Sequence, residues 1–280
     1  MNTQIYELYA RCFPDFSMNE EIFSRLLDSD KCEVITRSEN GVLAACSVIE
    51  GNCIRLLCVL PEFQGKGIGS ALLKDSEEAI ASNGFDTAIL GGMDSRLFIG
   101  AVTSEEQWND MRCHFFEKRG YNASNGCIEM KMELSDFSED KTPEYPDDVK
   151  FGYCTEDKSD ELREAVNQIN PEWLQFFDNG SPVFTAEKDG KLVGFCIVDV
   201  NADTVISTGK NNIGMIGCVG VLPSYRRHGI GLAMVAKAML DVKSQGCDEV
   251  FIHYTYLDWW YGRLGFKTFM HYWFGQKRLG

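Results

Sequence analysis

The sequence predicts a mixed fold of helices and strands, of the α/β or α+β class, built twice within one chain. Apolar runs of strand length alternate with helical patterns along the 280 residues. Turns rich in glycine separate these segments. One stretch of strand, turn and helix occurs twice. Because strands and helices are interleaved, we expect helices to cover the faces of a sheet.

The two copies of the repeated stretch match position by position. Leu60-Pro61 corresponds to Leu222-Pro223, and Gly67-Ile68-Gly69 corresponds to Gly229-Ile230-Gly231, at one offset of 162 residues (222 − 60). Self-similarity at a fixed offset indicates a repeated structural unit. Half of this chain is long enough to bury a core of its own. We therefore predict two domains.

Both turns have the features of an anion site. Glycine tolerates positive φ and lets the backbone approach a ligand closely. The first amides of a helix have no intrahelical acceptor and carry the positive end of the helix dipole. Together these features suit an anionic group such as a diphosphate. In the second copy, Arg226, Arg227 and His228 add basic side chains.

Capping and turn signals set the elements of the first half. Ser17 with Glu20 resembles a capping box that opens a helix. Asn40-Gly41 is typical of a hairpin turn. The predicted elements are helices at 5–16 and 17–27, strands at 32–37, 42–49 and 52–60, a helix at 70–82, a strand at 87–90, a loop-rich insert at 91–113, a short helix ending at Gly120 and a half-buried strand at 127–134.

The second half follows the same plan, with Asp189-Gly190 as its hairpin turn. Its predicted elements are a strand at 150–154, a helix at 158–169, strands at 182–187, 191–200 and 213–221, a helix at 232–244, a strand at 249–254, a short helix at 257–264 and a strand at 269–274.

Ser135 to Asp148 is the predicted linker between the domains. It contains two prolines and six acidic residues against one lysine, with no apolar periodicity. We therefore assign residues 1–134 and 149–280 to the two domains.

Composition excludes some classes of partner. The net charge of −15 makes nucleic acid and anionic lipid poor partners. Most of this charge lies in residues 1–148, which hold 27 acidic and 13 basic side chains. The acidic surface would favour a cationic substrate, or would serve only solubility. No apolar run reaches the length of a membrane span, and no secretory signal is recognisable. The 11 dispersed cysteines, none in a Cys-x-x-Cys pair, indicate reduced thiols and a cytoplasmic location.

The repeated motif resembles the GNAT superfamily of N-acyltransferases, which use acetyl-coenzyme A. Its signature, Gln/Arg-x-x-Gly-x-Gly/Ala after a strand, appears as Gln64 to Gly69 and as Arg226 to Gly231. The resemblance covers nearly the whole chain and implies two domains, each with a mixed, mostly antiparallel sheet flanked by helices. It implies acetyl-coenzyme A as co-substrate, without a metal.

The resemblance also implies which residues bind the coenzyme. Main-chain amides of the two turns would hold its diphosphate, and two strand ends would pair with its pantetheine arm. These residues are Cys58, Val59, Leu60, Gln64, Gly65, Lys66, Gly67, Ile68, Gly69, Val219, Gly220, Val221, Arg226, Arg227, His228, Gly229, Ile230 and Gly231. Tight strand–helix packing is an alternative reason for the glycines.

The two halves differ at the position of the family's general acid. Many members have a tyrosine in the pattern aromatic-Tyr-x-x-x-Gly-Phe, which Tyr261 matches. Its phenol would protonate the departing thiolate. The first half has Phe116 there, and a phenyl ring has no proton to give. We therefore expect the second half to be catalytic, unless Tyr261 is only a core aromatic.

No carboxylate in the strand 213–221 offers a general base. His253, on the strand beside the expected thioester, has a suitable pKa and is the first candidate. Asp199 and Asp258 are weaker candidates, and His253 would otherwise be a structural histidine. Substrate walls, or simply core, are expected from Trp173, Phe176, Phe177, Tyr256, Trp259, Tyr272 and Trp273.

The sequence therefore predicts an acetyl-coenzyme A-dependent N-acetyltransferase acting on a small-molecule or peptide amine, with no nucleic acid or membrane partner. It sets neither the acceptor nor the oligomeric state. The alternative is an acyl-coenzyme A-binding sensor or scaffold without turnover. A dinucleotide-binding interpretation of the glycine turns fits less well, because no convincing acidic residue follows at the required distance.

Overall fold

The computed structural model describes residues 2–14, 16, 18–28, 31–91, 97–178, 180–200 and 212–280. Two compact units are present. The first contains the described residues of Met1–Cys127 and of Met270–Gly280. The second contains those of Ile128–Asp203 and Lys210–Phe269. The sheets are mixed and mostly antiparallel with helices packed on them, as predicted.

The elements alternate along the chain. The helices are α1 Asn2–Cys12, α2 Glu20–Leu27, α3 Ile68–Ser82, α4 Glu105–Asn109, α5 His114–Glu117, α6 Ser159–Ile169, α7 Leu174–Phe177, α8 Ile230–Ser244 and α9 Asp258–Tyr261. The strands are β1 Cys32–Glu39, β2 Val42–Glu50, β3 Cys53–Val59, β4 Thr87–Leu90, β5 Ala101–Thr103, β6 Asn122–Glu133, β7 Val149–Tyr153, β8 Val183–Lys188, β9 Lys191–Asp199, β10 Ile213–Val221, β11 Glu249–Thr255 and β12 Lys267–Arg278.

Local signals misplaced two features of the first half. The N-cap of α2 is Asn19, whose side chain accepts hydrogen bonds from the amides of Glu21 and Ile22 at 3.0 and 3.1 Å. Ser17, the predicted cap, lies outside the described residues. The predicted loop-rich insert at 91–113 includes β5 and α4.

In the first unit, the sheet order is β1, β2, β3, β4 and β12, and β5 pairs with β12. Neighbours are antiparallel except β3 and β4, which are parallel. The strand β2 is buried continuously from Ala44 to Ile49. Since successive side chains point to opposite faces, both faces of this sheet are covered. α1 and α3 both pack on β2 and β3.

In the second unit, the order is β6, β11, β10, β9, β8 and β7, with residues 128–133 of β6 belonging to this unit. Neighbours are antiparallel except β10 and β11, which are parallel. β9 is buried from Leu192 to Val198, and α6 and α8 both pack on it. The second unit thus repeats the arrangement of the first.

The C-terminal segment 270–280 completes the core of the first unit. Trp273 is 1% exposed, and its Nε1 donates to the carbonyl oxygen of Met111 at 3.1 Å. Lys277 pairs with Glu77 of α3 at 2.7 Å. Tyr272 is also fully buried. The sequence left open whether Tyr272 and Trp273 line a substrate site or belong to the core, and in the structure both side chains belong to the core.

The predicted linker is packed against the second unit. Phe137 is 1% exposed, and Lys243 of α8 donates to the carbonyl oxygens of Ser135 and Phe137 at 2.8 and 2.7 Å. The two compact units differ from the division at 1–134 and 149–280, because 128–148 belongs to the second unit and 270–280 to the first. That division stays a prediction about folding domains.

Candidate active site

Both repeated stretches fold into the same strand, turn and helix. A 3₁₀ turn, Pro61–Phe63 or Pro223–Tyr225, follows the strand. Gly67 and Gly229 then cap α3 and α8 with φ of 84° and 80°. An L side chain rarely adopts this left-handed conformation, so glycine is required at both positions.

The first signature residue braces its own turn. Gln64 Nε2 donates to the carbonyl oxygen of Val59 at 2.9 Å, and Arg226 Nε donates to that of Val221 at 2.8 Å. Their main-chain amides bond to the carbonyl oxygens of Pro61 and Pro223, at 3.2 and 3.3 Å. The turn therefore already uses these two amides, and their contact with the diphosphate stays a prediction.

The following amides remain available. No described residue accepts a hydrogen bond from the main-chain N–H groups of Gly65–Gly69 or of Arg227–Gly231. Arg227 and His228 are exposed, while Lys66 Nζ bonds to the carbonyl oxygen of Glu62 at 2.9 Å. Each turn thus presents unpaired donors at the positive end of a helix of 15 residues.

The two parallel strands part just before each turn. β3 pairs with β4 only at Cys53–Ile54, and β10 pairs with β11 only at Ile213–Met215. Beyond these points one edge of β3 and one edge of β10 are open. A gap between parallel strands can receive an extended ligand through main-chain hydrogen bonds.

Alternation along each strand decides which residues face that gap. The amides of Leu60 and Leu222 bond to Ala44 and Val193 of the antiparallel neighbour, both at 2.9 Å. Since hydrogen-bonded and non-hydrogen-bonded positions alternate along an antiparallel pair, the main-chain groups of the preceding residue, Val59 or Val221, point to the gap. Two further residues predicted to contact the pantetheine arm, Cys58 and Gly220, lie opposite Cys46 and Phe195 of the antiparallel neighbour, at positions whose main-chain groups point to that neighbour. Val219 lies within the bulge between Gly217 and Gly220.

Tyr261 is buried at the end of α9. Its side chain is 5% exposed, and its ring meets that of Phe266 edge-on at 5.8 Å. Burial, with smaller contributions from Cys196 and Cys218, raises the pKa of Tyr261 well above its usual value. The phenol therefore keeps its proton through the neutral range and can act as a donor but not as a base.

The first unit has the same ring pair with the hydroxyl on the other ring. Phe116 meets Tyr121 edge-on at 5.5 Å, as Tyr261 meets Phe266. A Cβ on Gly69 would lie 3.4 Å from the ring of Phe115, and one on Gly231 would lie 3.4 Å from Trp260. The packing is thus equivalent, and only the second unit has a phenol at the predicted acid position.

His253 lies on β11, just past its parallel pairing with β10, and bonds to a carboxylate that the sequence analysis did not select. Its Nδ1 is 2.6 Å from Glu129 Oε2. The side chains of His253 and Glu129 are 15% and 2% exposed. Burial alone lowers the pKa of His253, but the carboxylate of Glu129 raises it by more, so the net shift is upward. Asp258 is exposed at the start of α9, and Asp199 lies at the far end of β9.

Glu129 was missed because its strand alternates polar and apolar residues, which predicted a solvent-facing side chain. The side chain is buried instead, against β11. The carboxylate–histidine contact joins residues far apart in sequence, so no local pattern could reveal it.

The aromatic residues expected at the substrate wall divide into two groups. Tyr256 and Trp259 are 74% and 67% exposed, and Phe176 is 40% exposed. Trp173 and Phe177 pack on the core cluster of the second unit. Only the first group is accessible to a substrate.

The surroundings of the two turns differ. The carbonyl oxygen of Glu144 lies 2.1 Å from where a Cβ on Gly229 would be, whereas nothing lies within 4 Å of that position at Gly67. The segment around Glu144 is held on α8, because Lys237 pairs with Glu139 and lies 5.9 Å from the Tyr145 ring centre. The second turn is therefore partly covered by the segment 139–145, and the first is open.

An open cavity with about 410 Å³ of empty space lies where β3 and β4 part in the first unit. Its lining is mostly apolar and comprises Phe13, Ile54, Arg55, Leu56, Leu57, Leu90, Phe98, Gly100, Ala101, Val102 and Phe116. The first unit thus has space beside its open strand edge but no phenol there.

The described residues lack two further features. They contain no cluster of three or more His, Cys, Asp or Glu side chains arranged to hold a metal ion. They also contain no helix of the length and hydropathy that crossing a membrane requires.

Comparison with known families agrees with this geometry. Residues 135–266 match the model described as Acetyltransferase (GNAT) family, and residues 29–123 match the Acetyltransferase (GNAT) domain. The two matches together cover most of the chain, one in each half. The protein belongs to the GNAT family of acetyltransferases and carries two such domains. The predicted resemblance and enzyme class are confirmed.

Solved structures share the fold over nearly the whole chain. A GCN5-related glucosamine N-acetyltransferase region of a fungal multi-domain β-N-acetylglucosaminidase has a TM-score of 0.74 at 21% identity, over 98% of this chain and 36% of that one. This chain thus spans about a third of that protein. A GCN5-related N-acetyltransferase from Sphaerobacter thermophilus has a TM-score of 0.71 at 20% identity, over 99% and 92% of the two chains.

A tandem GNAT protein from the clavulanic acid biosynthesis pathway has a TM-score of 0.65 at 14% identity, over 100% and 95% of the two chains. The tandem arrangement therefore has a structural counterpart. The comparison with curated proteins found no match.

Proposed function

We propose that the protein transfers the acetyl group of acetyl-coenzyme A to a primary amine, and that the second unit does so. The observation that carries this proposal is the buried phenol of Tyr261, which keeps its proton and is influenced electrostatically by Cys218, a residue of β10 beyond its pairing with β11. The first unit has Phe116 at that position.

The unpaired amides of Arg227–Gly231 would hold the diphosphate, and the open edge at Val221 would pair with the pantetheine arm. The amine nitrogen attacks the thioester carbonyl carbon, a C–N bond forms, and the C–S bond breaks. Tyr261 gives its proton to the departing sulfur and regains one from the nitrogen by way of water. The products are an amide and free coenzyme A.

The acceptor is proposed to be a small-molecule or peptide amine. The fungal neighbour is named for glucosamine N-acetylation, so amino sugars join polyamines, aminoglycosides, amino acids and peptides in the test panel. Tyr256 and Trp259, exposed on the segment that leads to Tyr261, are suited to contact the acceptor.

The test is acetyl-coenzyme A-dependent acetylation of the panel, read as thiol release and as acetylated product by mass spectrometry. An acceptor-free blank is needed because the protein has 11 cysteines. We expect Tyr261→Phe to lower kcat about 10²-fold or more. Tyr121→Phe removes a buried phenol from the first unit and is the matched control, expected to leave kcat within about twofold.

Unchanged turnover in Tyr261→Phe would remove the acid assignment and, with it, the argument that the second unit is the catalytic one. Failure of the wild-type protein to acetylate any amine would overturn the proposed function. Calorimetric binding of acetyl-coenzyme A without turnover would then favour an acyl-coenzyme A-binding protein. The cavity and the open turn of the first unit already favour such a binding role for that unit.

A further inference from the structure

The proposed reaction needs a proton acceptor. A primary amine resembling that of lysine has a pKa near 10.4 and is almost wholly protonated at neutral pH. The ammonium must lose a proton before its nitrogen can attack. β10 carries no carboxylate or histidine for this purpose.

His253 occupies the opposite strand of the gap. The parallel pairing of β10 and β11 ends at Met215 and Phe251, two residues before His253. The pairing of β11 with β6 shifts register between Ile252 and Thr255, and Tyr254 there has a φ of 54°. Bulges of this kind re-aim side chains and are common beside active sites.

The Glu129–His253 hydrogen bond leaves one ring nitrogen for a substrate. Nδ1 is engaged by Glu129 at 2.6 Å, and no described residue bonds to Nε2. A carboxylate that holds one nitrogen fixes the ring orientation and favours the imidazolium form. Since Glu129 is 2% exposed, its charge needs this partner, because an unpaired buried carboxylate is costly.

The first unit lacks both members of the pair. The offset of 162 between the repeats places Gly91 at the position of His253 (253 − 162). On the antiparallel strands β11 and β6, Phe251 lies opposite Lys131, so counting two residues further along each strand places His253 opposite Glu129. On the antiparallel strands β4 and β12, Ile89 lies opposite Gln276, so the same count places Gly91 opposite Phe274. The polar pair of the second unit is therefore replaced by glycine and phenylalanine in the first.

We propose that Glu129 is a positioning residue that orients His253 as the general base of acetyl transfer. This inference rests on the proposed function. His253 Nε2 takes one proton from the substrate ammonium, and the imidazolium is stabilised by Glu129 until the proton passes to water. Tyr261 gives one proton to the sulfur, as described above. Overall, the ammonium and the thioester are converted to an amide, a thiol and one released proton.

The electrostatic surroundings of His253 are simple. Glu129 is its ionic partner, and the rings of Phe251 and Tyr254 lie 5.7 and 5.6 Å away. The same two strands also carry the pair of Lys131 and Glu249, whose side chains lie 4.0 Å from each other. Because the pKa of His253 is raised, its base form is populated only as pH rises. Activity should rise with pH through that raised pKa.

The experiment compares full-length wild type with Glu129→Gln, Glu129→Asp, His253→Gln and Glu164→Gln, where Glu164 lies on α6. The last removes an exposed carboxylate of the same unit and is the control. The readouts are kcat/KM against pH, KM for acetyl-coenzyme A, and the NMR titration of the His253 ring, assigned by its loss in His253→Gln.

We expect Glu129→Gln to lower kcat about tenfold or more. The rising limb of the plot of kcat/KM against pH and the NMR pKa of His253 should both move to lower pH. KM for acetyl-coenzyme A should change little. Glu129→Asp should retain part of the limb, and His253→Gln should abolish it with a loss of about 10²-fold or more. Glu164→Gln should match wild type.

The inference is overturned by turnover in His253→Gln with an unchanged pH limb. It is also overturned if Glu129→Gln lowers the melting temperature but leaves the limb and the NMR pKa in place, because the pair would then be structural only. Both outcomes occur in an enzyme that still acetylates. They are therefore distinct from the wild-type inactivity that would overturn the proposed function.

Discussion

The two units share a backbone frame and differ in the side chains that the frame presents. In both, a glycine of positive φ caps a helix of 15 residues, a long side chain braces the strand end, and an aromatic ring covers the second glycine. Around the gap, the second unit has Tyr261, His253 and Glu129, and the first has Phe116, Gly91 and Phe274. The proposed anion site therefore depends on the shared frame, and the proposed chemistry depends on three side chains.

The units also differ in how their turns are covered. The segment 139–145 lies on the second turn, and the first turn is open with a cavity beside its strand. A ligand could reach the first turn without displacing any other segment of the protein. At the second turn, the ligand would lie beside the main chain of Glu144. The proposed catalytic unit is thus the more enclosed one.

The largest expected effect is on the stability of the first unit. Trp273→Ala should cost about 3–5 kcal/mol, because it removes a large, fully buried side chain. Hydrogen exchange measured by mass spectrometry should show faster exchange in α3 than in wild type. Trp259→Ala is the matched control, since Trp259 is 67% exposed, and it should change stability by about 0.5 kcal/mol or less. Equal losses in both variants would contradict the assignment of 270–280 to the first unit.

A smaller effect separates the two turns. Gly67→Ala should cost about 1–2 kcal/mol, the strain of a left-handed alanine. Gly229→Ala should cost more, because its Cβ would also meet the carbonyl oxygen of Glu144 at 2.1 Å. Thermal unfolding of the two variants, measured in parallel, tests the difference. Equal losses of stability in the two variants would mean that the segment 139–145 moves away from the new Cβ at no cost in free energy.

The smallest effect concerns the braces. Gln64→Ala and Arg226→Ala each remove one side-chain hydrogen bond to a strand-end carbonyl and should cost about 0.5–1.5 kcal/mol. Similar losses, read from denaturant midpoints, would support equivalent roles in the two units. A loss confined to one variant would show that the shared frame is not used in the same way.

Local features were predictable from the sequence. The repeat located both glycine turns, and the family resemblance located the Tyr261–Phe116 difference, because each depends on residues close together in the chain. Asn19 rather than Ser17 caps α2, since several polar residues there compete for the same role.

Features that depend on distant pairing were not predictable. Glu129 and His253 meet only because β6 lies beside β11. The assignment of 270–280 to the first unit likewise depends on which strand edge each segment finds. Hydrophobic alternation reports which face of a strand is buried, but not which neighbour buries it.

The place of β12 in the sequence has a consequence for biosynthesis. A ribosome releases the chain from its N-terminus, and domains usually fold as units in that order. Here Met270–Gly280 belongs to the first unit, so that unit lacks its Trp273-bearing strand until the second has been translated. Until then the nascent first half would expose an unpaired edge of β4, and such an edge can pair with another chain.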